Sequence, residues 1–170
     1  KAYGKGVELG GKTLGVIGYG RIGQALGRMA QGLGMNVVAY DIYHVEGIEC
    51  ETMHYVTMDE LLAQSDFISL HTPAIDGKPL INRENIAKMK DGVIFVNTSR
   101  GNNVDEAALL AALESGKVRA AGLDVYADEP ATNKALYSHP MVSCTPHIGA
   151  ATKEAQKRIG MEIVSIIDNL

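Results

Sequence analysis

The chain has 170 residues, of which 46% are hydrophobic, and a formal net charge of −4. That is enough chain for one domain with a buried core, and the acidic balance without a basic run excludes a nucleic-acid binder. No apolar stretch approaches the roughly 20 residues of a membrane span, and no signal peptide opens the chain.

The elements follow one another in a regular alternation. Lys12–Gly18 reads as a strand and Arg21–Leu33 as a helix, with Ile22, Leu26, Met29 and Leu33 spaced for one buried face. Asn36–Tyr40 is a second strand, after Gly34 in a helix-stop position. A short strand is expected at His54–Val56. Thr57 and Glu60 have capping-box spacing and open a short helix. Asp66–Leu70 is the next strand, and Asn82 caps a helix running to Lys90. Gly92–Asn97 is a strong strand, followed by a helix over Asp105–Ser115 that Gly116 stops. Arg119–Val125 and Met141–Thr145 are two more strands. A last helix starts at Thr152, with Ile159, Ile163, Ile166 and Ile167 on one side. Nearly continuous apolar strands alternating with helices predict an open, doubly wound, mostly parallel α/β sheet.

The two cysteines, Cys50 and Cys144, lack metal-ligand spacing, so no metal site is expected. They read as reduced core thiols and point to the cytoplasm. The seven methionines read as core. His44, His54 and His139 stand in no motif, and His71 is intermediate.

Gly18, Gly20 and Gly23 form G-x-G-x-x-G between a strand and a helix, and Asp41 ends the next strand. Each part has a mechanical role in holding a dinucleotide. Gly18 permits the tight turn, Gly20 lets a pyrophosphate approach the backbone, and Gly23 lets helix and strand pack closely. The helix N-terminus offers free N–H groups to the phosphates. Asp41 accepts hydrogen bonds from ribose hydroxyls and repels a 2′-phosphate. The expected cofactor is therefore NAD rather than NADP.

Ligands of such sheets sit beyond the carboxyl ends of the strands. The expected strands deliver His71-Thr72-Pro73, Thr98-Ser99-Arg100-Gly101, Asp124 with Asp128-Glu129-Pro130, and Pro146-His147-Ile148-Gly149 to that edge. An arginine, a glutamate and a histidine beside a dinucleotide suit one chemistry. The histidine moves the alcohol proton, the glutamate orients the ring and stabilises imidazolium, and the arginine holds a carboxylate. Together they describe interconversion of a 2-hydroxy acid and a 2-oxo acid.

The motifs GVIGYGRIG, VNTSRG, GLDVYADEP and TPHIGAAT, in this order, resemble the D-isomer-specific 2-hydroxyacid dehydrogenases. The resemblance is to their Rossmann-type NAD-binding domain and covers nearly the whole chain, and the final motif is most similar to the phosphoglycerate dehydrogenase branch, which serves serine biosynthesis. It implies His147 as acid/base, Glu129 as its partner and Arg100 as substrate anchor. It further implies that Asp124 meets the nicotinamide carboxamide. Arg21 and Ile22 would lie at the pyrophosphate, and Thr72, Pro73, Thr98, Ser99 and Gly149 along the cofactor. Ala74–Leu80 departs from the family pattern by lacking threonines after Pro73.

The resemblance also implies an organisation. Residues 1–11 read as the end of an inter-domain connection, 12–150 as the dinucleotide-binding domain, and 151–170 as a helix returning toward a substrate domain that this chain does not contain. The partners expected are NAD(H), a small 2-hydroxy or 2-oxo acid such as 3-phosphoglycerate, and a second copy docked through the cofactor domain. Two alternatives stand beside this reading. One is a glycerate/hydroxypyruvate or D-lactate dehydrogenase. The other is a non-catalytic NAD-sensing module similar to the family's co-repressor relatives.

Overall fold

A computed structural model describes residues 6–169, so the first five residues of the expected connection lie outside it. Its strands are β1 (Thr13–Ile17), β2 (Asn36–Tyr40), β3 (Met53–Tyr55), β4 (Phe67–Leu70), β5 (Val93–Asn97), β6 (Val118–Leu123) and β7 (Val142–Cys144). Its helices are α1 (Arg21–Gly32), α2 (Met58–Gln64), α3 (Arg83–Lys88), α4 (Glu106–Ser115), α5 (Lys134–Tyr137) and α6 (Lys153–Asp168). The strands form one sheet in the order β3-β2-β1-β4-β5-β6-β7, and every adjacent pair is parallel. The doubly wound architecture expected from the sequence is the one observed. Its order reverses between β1 and β4, which opens a crevice at their carboxyl ends.

Local chemistry explains the helix boundaries. Thr57 accepts from the Glu60 N–H while Glu60 accepts from the Thr57 N–H, a closed capping box on α2. Asn82 and Asp105 cap α3 and α4 through their side chains. Gly116 ends α4 in the left-handed region, at φ 78°. The four-residue α5, capped by Asn133, is too short to leave a periodic signal and was not anticipated.

The parallel register gives the sheet two faces. Ile17, Ile68, Leu70 and Phe95 point to one face and pack with Leu61, Leu62, Ile86 and Leu109 from α2, α3 and α4. Leu14, Val16, Val37 and Ala39 point to the other and pack with α1. Over β5 and β6 that second face is only half-buried, at Ile94, Val96 and Gly122.

Helix α1 overturns one expectation. It presents Gly23, Gly27 and Ala30 to the sheet. Ile22, Met29 and Leu33 are 66%, 61% and 59% exposed, and Leu26 is half-buried. A Cβ on Gly23 would overlap the Gly18 carbonyl and stand 3.1 Å from Val16 Cγ1, and one on Gly27 would overlap the Tyr19 ring. The backbone of α1 therefore lies too close to the sheet for large side chains, and the larger apolar row turns outward. Helix α6 likewise leaves Ile159, Ile163, Ile166 and Ile167 exposed and buries none of its residues.

Two further corrections concern sulfur. Cys50 and Cys144 are free, as expected, but both are exposed, because each sits at a sheet margin rather than in a central strand. Met35, Met53 and Met89 are core residues, whereas Met29, Met141 and Met161 are exposed. No helix among the described residues is long and apolar enough to cross a membrane.

Candidate active site

The loop after β1 turns at Gly18, whose φ is 90°. A Cβ there would lie 2.7 Å from the His71 carbonyl carbon, so the turn packs directly on the segment that leaves β4. A Cβ on Gly20 would meet nothing within 4 Å, which leaves the backbone open toward the crevice. Gly20 precedes α1 without any side-chain cap, and the first turn of α1 carries no acidic residue. The N-terminus of α1 thus keeps N–H groups and a partial positive charge available to an anion.

Asp41 directly follows β2, beside this loop. Its carboxylate accepts from the Tyr19 N–H at 2.6 Å and the Tyr43 N–H at 3.0 Å, which orients it along the crevice rim. A cavity of about 400 Å³ is lined by Gly18, Gly20, Asp41, His71, Thr72 and Pro73, with Ile42, Tyr43 and Leu80 as its apolar wall. Burial holds the His71 imidazole below its ordinary pKa, and the ring shares a hydrogen bond of 2.8 Å with Ser69 Oγ. The arrangement fits a dinucleotide: an uncapped helix end for phosphate, a carboxylate for ribose, and apolar walls for the rings.

The second centre forms after β6 and β7. Asp124 is buried at the end of β6. Its carboxylate accepts from Thr145 Oγ1 at 2.6 Å and from the N–H groups of Ile148 and Gly149 at 2.9 Å each. Burial alone would raise its pKa, but these three bonds and the nearby His147 hold it below the usual carboxylate range. The loop pinned in this way carries His147 at φ 55°, in the left-handed region rarely used by a residue with a Cβ. Such a conformation persists where the surroundings over-determine it, and the bonds to Asp124 on the C-terminal side do so.

His147 Nδ1 lies 2.8 Å from Glu129 Oε2. The bond from His147 is the main reason that the Glu129 carboxyl sits below its usual range; it outweighs desolvation, and the Tyr126 N–H adds to it. The pair lines a second cavity of about 440 Å³, walled by Tyr126, Pro130, Tyr137 and Cys144. Tyr126 Oη donates to the Thr145 carbonyl at 2.8 Å, tying the Glu129 loop to the His147 loop. Burial and the adjacent Cys144 thiol push the Tyr126 phenol up, so it stays a donor.

Arg100 belongs to the turn between these centres. Its guanidinium folds back to donate to the Ser99 carbonyl at 2.6 Å. The following Gly101 lies against the Tyr126 carbonyl, which a Cβ there would overlap, so the turns bearing Arg100 and Glu129 touch through their backbones.

The expected residues fall into groups. Gly18, Gly20, Asp41, Thr72 and Pro73 line the first cavity, with Arg21, Ile22 and Gly23 on the first turn of α1 beside it. Glu129 and His147 meet directly, and Asp124 and Gly149 fix their loop. Thr98 and Arg100 are exposed at the same edge. Ser99 is instead buried, its hydroxyl donating to Asn97 Oδ1 at 2.9 Å, and serves the turn itself. Tyr126, Tyr137 and Cys144 were not anticipated, since nothing in spacing or residue type distinguishes them from core positions. Among the described residues no group of three or more His, Cys, Asp or Glu could hold a metal ion.

Residues 1–149 match the family described as D-isomer specific 2-hydroxyacid dehydrogenase, NAD binding domain. The chain belongs to that family. It is 52% identical over 167 residues to a hydroxypyruvate reductase of Thermotoga maritima, covering 96% of this chain and 54% of the relative. It is 46% identical over 164 residues to a D-3-phosphoglycerate dehydrogenase of Mycobacterium leprae, covering 95% of this chain and 31% of that protein. A solved D-lactate dehydrogenase from Aquifex aeolicus, complexed with NAD and lactic acid, superposes with a TM-score of 0.87 at 38% identity, over 95% of this chain and 54% of its own. The chain therefore spans about half the length, or less, of the relatives it matches, and its cofactor is the NAD of its family.

Proposed function

We propose that this chain is the cofactor half of an NAD-dependent dehydrogenase that interconverts a 2-hydroxy acid and a 2-oxo acid. The observation that carries the proposal is the His147–Glu129 pair at 2.8 Å, one sheet edge along from an uncapped helix end and a ribose-directed carboxylate. NAD supplies the hydride acceptor and donor. The chain supplies the proton: with Nδ1 engaged by Glu129, His147 keeps Nε2 for the substrate hydroxyl. Arg100 swings from the Ser99 carbonyl to a substrate carboxylate, which offers it two charged acceptors in place of one neutral one. Asp124 holds the His147 loop and presents polar atoms to the carboxamide, with Gly149, Thr72, Pro73 and Thr98 along the cofactor. Asp41 favours NAD over NADP, by about 10- to 150-fold from the loss of one charge-assisted hydrogen bond.

A substrate domain from further chain would close the crevice, with residues 151–170 leading into it and 1–11 coming from it. It would also carry the determinants that choose among 3-phosphoglycerate, hydroxypyruvate and D-lactate. The exposed Met29 and Leu33, away from the cofactor end of α1, support a homodimer docked through that helix. Two exposed free thiols favour a reducing compartment such as the cytoplasm. A non-catalytic sensor would need no histidine–carboxylate pair, so the enzyme reading is favoured.

The test has two arms. The 170-residue chain should bind NADH more tightly than NADPH and reduce 2-oxo acids slowly or not at all. In the chain extended by a substrate domain, His147→Ala should abolish turnover and leave NADH binding intact. Equal NADPH binding, or an unaffected His147→Ala enzyme, would overturn the assignment.

A further inference from the structure

The loop from Thr72 to Ile81 is the wall of the dinucleotide crevice on the β4 side, and it contains Ala74–Leu80, the stretch that departs from the family pattern. It makes a long excursion without secondary structure, yet one residue closes it at both ends. Asn103, in the 3₁₀ turn Gly101–Asn103 after β5, is 0% exposed. Its Nδ2 donates to Thr72 Oγ1 at 3.0 Å and to the Pro73 carbonyl at 2.6 Å. Its Oδ1 accepts from the Ile75 N–H at 2.9 Å. Its own carbonyl accepts from the Ile81 N–H at 2.9 Å, where the loop rejoins the core. An amide in such an apolar place costs free energy unless it is bonded. Its neighbours Ile81 and Val104 are both core residues, so packing alone would be served by an apolar side chain.

We propose that Asn103 is a positioning residue for the cofactor crevice. Its carboxamide holds Thr72 and Pro73 in the cofactor-accepting conformation, and its turn, which begins next to Arg100, links that wall to the substrate anchor. The proposal rests on the dinucleotide reading of the crevice. Without the clamp, the loop spends only a fraction of its time in place, and the apparent affinity falls by that fraction.

The experiment compares the unaltered chain with Asn103→Leu, which keeps the size and loses every side-chain hydrogen bond. NADH binding is followed by fluorescence well below each variant's unfolding midpoint. There, a purely structural role would leave the affinity unchanged. The dissociation constant should rise roughly tenfold in the variant. Amide exchange in the unaltered chain gives a second reading that needs no variant. The Ile75 N–H, on a residue 38% exposed, should exchange far more slowly than an unbonded loop amide and slow further with NADH. If the unaltered chain binds no NADH, the cofactor reading fails and this proposal with it. Equal NADH affinity in Asn103→Leu, or an unprotected Ile75 amide in a chain that binds NADH, overturns the role of Asn103 alone.

Discussion

Asp124→Asn is the sharpest perturbation of the carboxyl edge, because it changes one atom and breaks a defined set of bonds. Oδ1 accepts from Thr145 Oγ1 and the Ile148 N–H, and Oδ2 from the Gly149 N–H. An asparagine can keep its oxygen toward the first two donors, but its NH₂ then faces the Gly149 N–H. A bond to a charged group contributes about 1.5–3 kcal/mol and a neutral one about 0.5–1.5 kcal/mol. One charged bond is lost and two are weakened, which sums to about 4 kcal/mol. Urea unfolding at pH 7 measures the global share, and amide exchange at Ile148 and Gly149 measures the share that appears as opening of the His147 loop. The pH dependence has a fixed sign. Bonding and the nearby His147 hold the folded Asp124 below its ordinary pKa, against burial. Its contribution is therefore full above the unfolded value of about 4 and fades as pH falls through the folded value. The gap between wild type and variant should be constant from about pH 8 to 5 and shrink below about pH 4. A wild-type unfolding midpoint together with unchanged exchange at both amides would refute the reasoning.

Gly101→Ala should destabilise the fold by about 3 kcal/mol or prevent folding, because its Cβ overlaps a backbone carbonyl that cannot rotate away; thermal unfolding of the variant measures this. His71 is held below its ordinary pKa by burial, so the folded state binds fewer protons there and stability falls as pH drops below about 6.5. From pH 7.5 to 5.5, wild type should lose more stability in urea titrations than His71→Gln, and parallel losses would dismiss burial of that ring as the cause. Met29→Glu should dissociate the proposed homodimer while leaving NADH affinity as it was. Sedimentation that shows the same mass for both proteins would remove α1 from the interface.

Much of this protein was legible in the linear order of residues. The alternation of apolar runs with helical patterns placed every strand to within about two residues, and Thr57, Asn82, Asp105 and Gly116 marked helix ends by local chemistry that needs no distant partner. The carboxyl-edge residues followed once the sheet was taken as parallel, since a strand's direction decides which loop lies at which end. Periodicity could not say which of two neighbouring rows on α1 faces the sheet. Ile22, Leu26, Met29 and Leu33 repeat with helical spacing, but so do Gly23, Gly27 and Ala30, and only the close approach of helix to strand selects the smaller row. The same limit hid Asn103, one of two adjacent asparagines, whose inward turn depends on a loop some thirty residues earlier. The pairing of His147 with Glu129, and the three donors gathered by Asp124, are likewise products of strands brought side by side. Sequence alone therefore determined the fold class, the glycine turn and the set of polar side chains delivered to the carboxyl edge, because these depend on local spacing. Tertiary structure decided which surfaces are buried and which polar groups meet, because those depend on distances between segments that the chain order does not contain.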